Sequence, residues 1–461
     1  MTITPSNEAP SIAVAEAQGE DISPLNMKYS WFVVFLLMVA YTLSFIDRQI
    51  LSLLIGPLKK DLILTDIQIG LLQGFAFALF YTLMGIPCGR LVDKFNRKWL
   101  VTSGITLWSL MTVSCGFANS YLTLFLARMG VGVGEATLNP SAYSLISDFF
   151  PKEKLGKAMG FYSAGIYIGA GLAYILGGSV IALVEAFIGP ILTITDGVTL
   201  KSWQITFIIV GVPGVLVAGV IAIFLKEPLR TGKFTSLGAG DNISFTDVLV
   251  FIWRDKKTFL PLFAGVSMIS PLGYIILSWG PEFFIRTYGL STANTGLIFG
   301  VIVMVFGSMG IIHGGIFADK LMGRGQGEGY FKVVSVGSFI LMVPVILFPL
   351  AGSATWSFML LAPVIYLSSF PYACLPAAIQ TVSPNQMRGQ ISAIYMLISN
   401  LIGIGAGPVV VAVLTDRLFQ DEGALNYSLV ITCGIAAPLA ALFFRTGYKG
   451  LRQSIEASQK W

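Results

Sequence analysis

Four ionisable residues, Asp47, Arg48, Arg128 and Glu135, stand inside otherwise apolar stretches of the chain. A charge at the centre of a bilayer costs on the order of 3 kcal/mol or more, so such groups face a cavity and pair. Arg128 and Glu135 are seven residues apart. That is about two helical turns, which sets them on one face roughly 10 Å apart in height. Asp47 precedes Pro57 by ten residues, at a depth between the two. If the first and fourth helices are neighbours, Asp47 can pair with Arg128 and also feel Glu135. Proton exchange is the chemistry such a set can perform. A carboxylate beside an arginine stays ionised, and the same group desolvated near a second carboxylate takes up a proton. The competing reading is a fixed buried ion pair that only orders the helices. Arg48 points about 100° away from Asp47 on a helix, toward the anionic head of a substrate or into a bracing role.

Other chemistries find little support. The only histidine, His313, reads as an interfacial polar residue. Cys88, Cys115, Cys374 and Cys433 lie in apolar runs without metal-site spacing and read as small buried hydrophobes. Gly130, Gly132 and Gly134 mimic a phosphate loop, but no strand precedes them, so helix packing is the better reading. No Walker-type phosphate loop occurs, and no His/Asp cluster or activated nucleophile stands out. The expectation is a non-enzyme with neither cofactor nor metal. The net charge of +5 comes from basic residues scattered between apolar runs, which is no footprint for nucleic acid.

The elements that must hold these residues are membrane helices. The chain is 55% hydrophobic and 11% charged, against about 25% charged in soluble domains. The apolar excess must face lipid, where only helices satisfy their backbones within a single segment. Twelve stretches suffice, near 29–55, 67–89, 99–118, 121–147, 157–184, 204–226, 259–284, 292–318, 332–351, 356–382, 389–416 and 426–446. Pro281, Pro363, Pro371 and Pro376 predict bent helices in the second half. Residues 1–28 read as a cytoplasmic tail without a signal peptide, 29–226 as one six-helix bundle, 227–258 as a linker, 259–446 as a second bundle and 447–461 as a cytoplasmic tail. The linker has room for a short surface helix near Phe245–Trp253. With the amino terminus inside, inner segments hold 22 Lys and Arg and outer ones five. That bias places both termini in the cytoplasm, in the inner or plasma membrane of the cell.

The halves repeat. Gly89, Asp93 and Lys94 recur at the same spacing as Gly315, Asp319 and Lys320, and Pro151 with Gly156 recurs as Pro384 with Gly389. Internal symmetry of this kind marks transporters whose site lies between repeats. Gly89 permits close approach of another helix. Asp93 can accept from free amides at the start of the eleventh helix near Gly389, and Asp319 from those near Gly156.

Together these residues resemble the major facilitator superfamily, and within it the spinster-like proteins. Asp93-Lys94-Phe95-Asn96-Arg97-Lys98 is similar to the superfamily's loop motif between the second and third helices, in its spinster version. Phe45-Ile46-Asp47-Arg48 and Arg128-Met129-Gly130-Val131-Gly132-Val133-Gly134-Glu135-Ala136 resemble spinster signatures, and Leu71-Leu72-Gln73 also fits. The resemblance implies an all-α membrane protein of the major facilitator fold, with twelve transmembrane helices in two pseudo-symmetric six-helix bundles. It implies alternating access, with the first, fourth, seventh and tenth helices lining a cavity. Gly89, Asp93, Arg97 and Lys98, with Asp319 and Arg388 in the second half, would form the cytoplasmic gate, latched in the outward-open state. Asp47, Glu135 and Arg128 would couple protons. Arg48, Arg128, Glu135, Tyr274, Tyr366, Ser369 and Tyr372 would bind substrate. The implied partners are a small amphipathic, sphingolipid- or lysophospholipid-like substrate, protons and membrane lipids, with the chain acting as a monomer. Small organic anions or sugars are the alternative substrates, and a scramblase is a remoter one.

Overall fold

The computed structural model describes residues 27–150, 152–187, 189, 191–195, 198–228, 244–384 and 387–458. Most of the expected amino-terminal tail, the centre of the linker, Pro151 and the last three residues lie outside that description. Among the described residues ten helices are long and apolar enough to cross a bilayer: Met27–Leu53, Asp66–Gly85, Lys157–Phe187, Ser202–Phe224, Lys256–Tyr288, Thr292–Gly323, Gly329–Leu350, Ala354–Val382, Arg388–Phe419 and Glu422–Thr446. The expected third and fourth spans are present as Arg97–Cys115 and as the pair Tyr121–Glu135 and Leu138–Phe149. The third opens on Arg97 and Lys98 and is rich in Ser and Thr, which lowers its apolarity. The fourth is divided at Ala136–Thr137. Pro140 has no N–H for the Ala136 carbonyl, which accounts for the break.

Local sequence explains where the helices start. Thr65 accepts from the Gln68 amide at 3.2 Å while the Gln68 side chain accepts from the Thr65 amide at 3.0 Å, a reciprocal cap. Ser120 with Thr123 repeats the device, and Ser291 and Ser353 cap the eighth and tenth helices. The tenth helix breaks between Ser368 and Pro371, where its prolines predict a bend. The seventh does not: Lys256–Tyr288 runs as one 33-residue helix through Pro261, Pro271 and Pro281. Further elements sit outside the bundles, among them a carboxy-terminal helix, Tyr448–Ser458. Ile191–Thr195 pairs antiparallel with Val198–Lys201 in a hairpin that the helical reading omits. Phe245–Arg254 forms the short linker helix, capped by Ser244 and Asp247.

Glycines set the packing. A Cβ on Gly132 would meet the Phe77 carbonyl at 2.7 Å, and one on Gly134 the Trp108 amide nitrogen at 2.6 Å. The fourth helix therefore lies directly on the second and third. Backbone cannot give way as a flexible side chain can, so Gly134→Val is expected to cost about 1–3 kcal/mol through overpacking. A lowered melting temperature of the purified protein is the readout.

The same glycines show how the halves meet. Call the side carrying Met27 and Thr446 terminal and the opposite side distal. Toward the distal side Gly74 faces the Ile404 carbonyl at 2.5 Å, Gly171 the Gly300 carbonyl at 2.7 Å and Gly296 the Tyr174 carbonyl at 2.3 Å. Toward the terminal side Gly85, Gly89, Gly160 and Gly389 have open space where a Cβ would sit. The halves are thus closed together distally and spread apart at their terminal ends.

Candidate functional site

The four charged residues converge where the first helix changes geometry. Its α-helical part, Met27–Gln49, gives way to a 3₁₀ turn over Ile50–Leu53. Such a change frees carbonyls of the last α-turn. Arg128 takes them: its Nη1 donates to the Asp47 carbonyl at 2.9 Å and its Nη2 to the Arg48 carbonyl at 3.4 Å. The guanidinium is fully buried and stands at the negative end of a helix dipole.

This geometry corrects the expected ionic pairing of Asp47 with Arg128. Arg128 binds the Asp47 backbone, not its carboxylate. The carboxyl group instead turns toward the third helix, beside Thr112 and Trp108, and stays within electrostatic range of Arg128 and Glu135. The ion pair is made by the next residue: Arg48 Nη2 lies 2.6 Å from Glu135 Oε2, with both side chains buried. Ser44 donates to the same oxygen at 2.7 Å. Glu135 Oε1 has no hydrogen-bond partner among the described residues.

Aromatic rings wrap the pair. The Arg48 guanidinium lies 4.3 Å from the Phe77 ring centre, 4.6 Å from Phe45 and 5.3 Å from Tyr81. Desolvated cation–π contacts of this kind contribute up to about 2 kcal/mol. From Tyr81 a polar chain runs onward: Asn139 Nδ2 donates to the Tyr81 hydroxyl at 2.9 Å, and the Tyr162 hydroxyl donates to Asn139 Oδ1 at 2.6 Å. Tyr162 stacks on Tyr41 with centroids 4.7 Å apart. The result is a buried ion pair set in a ring-walled polar patch.

Of the residues expected from the second half, Tyr274 approaches Arg48 and stands next to Tyr372. Ser369 is fully buried and accepts from the Tyr167 hydroxyl at 2.7 Å, tying the halves together. Tyr366 is turned elsewhere, with its hydroxyl 2.9 Å from Nδ1 of His313 on the eighth helix. Among the described residues no His, Cys, Asp and Glu gather as a metal site. Sequence reading missed Ser44, Tyr81, Asn139 and Tyr162. The one signal for them was polarity: Asn139 is an amide inside an apolar span.

The expected gate residues whose side chains are described do not meet in this arrangement. Among the described residues nothing lies where a Cβ of Gly89 or Gly389 would sit, Asp319 is exposed, and the Asp93 side chain is outside the described residues. Arg388 bonds locally, to the Ser383 carbonyl at 3.0 Å. Arg97 is buried within its own half, pairing with Asp148 at 2.5 Å and Glu227 at 2.7 Å. Its guanidinium pins the third helix to the fourth and to the end of the sixth.

Comparison with known proteins agrees with this architecture. Residues 37–408 match the Major Facilitator Superfamily. An "MFS-type efflux pump" of Mycolicibacterium smegmatis is 28% identical over 93% of this chain and 94% of its own. A "Probable L-galactonate transporter" of Escherichia coli is 25% identical over 89% of this chain and 87% of its own. Among solved structures, a bacterial homologue of the human lysosomal transporter spinster, in an inward-facing and unoccupied conformation, superposes with a TM-score of 0.75. It is 25% identical and the match covers 94% of this chain and 98% of that one.

Proposed function

The chain belongs to the Major Facilitator Superfamily, and we propose that within it the protein is a proton-coupled secondary transporter of an amphipathic, lipid-like substrate, working as a monomer by alternating access. It is an integral, multi-pass membrane transporter and not an enzyme. The charge bias of 22 basic residues against five supports a cytoplasmic terminal side. On that orientation the spread helix ends open toward the cytoplasm, and the closed glycine contacts seal the outside.

One observation carries the proposal: the Arg48–Glu135 pair, buried and ringed by Phe45, Phe77 and Tyr81. In an apolar bundle this pair holds only while both charges persist. Asp47 and Glu135 share the proton, with Asp47 its principal carrier: passage of the proton to Glu135 releases Arg48 to a substrate's anionic head, and its loss draws Arg48 back. The surrounding tyrosine rings suit the apolar part of a lysophospholipid or sphingolipid. Asp93, Asp319 and Arg388 are proposed to close the terminal side in the opposite access state, in which the open glycines would gain neighbours. The second reading, a small organic acid, draws on the likeness to the L-galactonate transporter, since Arg48 could equally receive a sugar-acid carboxylate.

Proteoliposome uptake separates the two. With an inward proton gradient, lysophospholipids are expected to accumulate and hexonates to compete poorly. Gradient-driven hexonate uptake that lysophospholipid leaves unaffected would move the assignment to organic acids.

A further inference from the structure

A second charged network closes the distal side, on the rim away from the Arg48–Glu135 pair. Asp66 begins the second helix and is completely buried. It takes Arg286 of the seventh helix in a fork, Nη1 to Oδ2 at 2.7 Å and Nη2 to Oδ1 at 2.9 Å. The two residues are 220 positions apart and belong to opposite halves. Beneath them the same seam continues, with Gln73 donating to the Ser278 carbonyl at 3.1 Å and Tyr174 to the Leu277 carbonyl at 2.6 Å. Beside them Asp416 accepts from the Ile67 amide at 2.7 Å.

Each member of the fork also has a counter-charge within its own half. Lys59 lies 2.5 Å from Asp66. Glu282, one helical turn before Arg286, receives its Nε at 2.7 Å and is itself buried. Breaking a buried ion pair is normally expensive because it strands a bare charge. Here separation strands none: Asp66 keeps Lys59, Arg286 keeps Glu282, and Glu422 of the second half, which Lys59 also reaches at 2.6 Å, is exposed to solvent. A pair with a reserve partner on each side is built to part and rejoin.

We propose that Asp66 and Arg286 form the distal latch of the transport cycle, with Lys59 and Glu282 as the reserves that let it open. This rests on the alternating-access reading. It makes the two kinds of residue act in opposite directions. Losing a latch charge favours the distal-open state, whereas losing a reserve makes that state costlier to reach.

The test labels a Ser278→Cys protein with a membrane-impermeant maleimide from the distal face of right-side-out vesicles. The native cysteines are buried, and the unsubstituted protein supplies the baseline. Asp66→Asn and Arg286→Gln are expected to raise the labelling rate on the order of tenfold, and Glu282→Gln to lower it several-fold. Unchanged labelling in Asp66→Asn and Arg286→Gln would overturn the latch. So would Glu282→Gln accelerating labelling as they do, since that is general loosening. Should either latch variant fail to fold, an Asp66→Cys/Arg286→Cys protein bridged by a short bifunctional thiol reagent must stop transporting and recover on reduction. Transport persisting through the bridge also overturns it. A distinct result, Ser278→Cys labelling that neither substrate nor gradient alters in the otherwise native chain, would remove alternating access itself.

Discussion

Replacing Glu135 with glutamine is expected to reduce gradient-driven uptake on the order of 100-fold and to lower the melting temperature. Both effects come from Arg48. Its guanidinium is buried, and Glu135 is its one carboxylate partner among the described residues. Removing one member of a buried pair typically costs about 3–5 kcal/mol, because the other charge is left uncompensated. About 1.4 kcal/mol corresponds to a factor of ten, so a loss of this size is ample for the expected fall. Stability and function can then be told apart. In an Arg48→Met/Glu135→Gln double variant no charge is stranded, and methionine can lie among Phe45, Phe77 and Tyr81, the rings that surround the guanidinium. Buried pairs replaced together by apolar groups are often neutral in stability. The double variant is therefore expected to melt near the native temperature and still fail to couple uptake to the gradient. Native transport in that variant would make the pair an architectural one.

The helical architecture was legible in sequence because lipid imposes one rule on every span: a run of apolar residues long enough to cross. That rule located ten helices long and apolar enough to cross among the described residues, and helices also stand at the expected third and divided fourth positions, which fall short of that length and apolarity. It could not reveal the Ile191–Thr195 hairpin, which obeys the period-two pattern of strands in a short segment outside the bilayer. The cost of buried charge likewise picked out Asp47, Arg48, Arg128 and Glu135, and they do converge. Their partners were not readable, because the choice turns on one local event. A 3₁₀ turn at Ile50–Leu53 frees two carbonyls, both Nη atoms of Arg128 bind them, and Glu135 falls to Arg48. The distal fork was hidden for another reason. Asp66 and Arg286 sit at helix ends, where charges are normally solvated. Nothing in their spacing shows that two halves will press them together. Glu282 lay inside an expected span and was the one overlooked hint.

The response to a proton gradient is expected to vanish in Asp47→Asn while substrate binding survives. The hydrogen bonds of Arg128 go to backbone carbonyls. Neutralising the Asp47 side chain therefore strands no cation, in contrast to Glu135→Gln. Asparagine is nearly isosteric, and its carbonyl oxygen can face Thr112 and Trp108 as the carboxylate does. Folding and substrate affinity should change little. What changes is the charge that Asp47 can carry. An ionised carboxylate at 2% exposure persists only with donors and cations around it, and an access change that moves the third helix or Arg128 would make the protonated form the cheaper one. Asparagine fixes the neutral form in both access states, so proton movement no longer distinguishes them. The ratio of uptake with a gradient to uptake without one should fall to about one, the limit at which a ligand has no differential affinity for the two states. Counterflow exchange, which needs no net proton movement, should continue. A full gradient response in Asp47→Asn would assign Asp47 to holding the end of the first helix against the third. It would leave Glu135, with its unpartnered Oε1 beside Arg48, as the group that exchanges the proton.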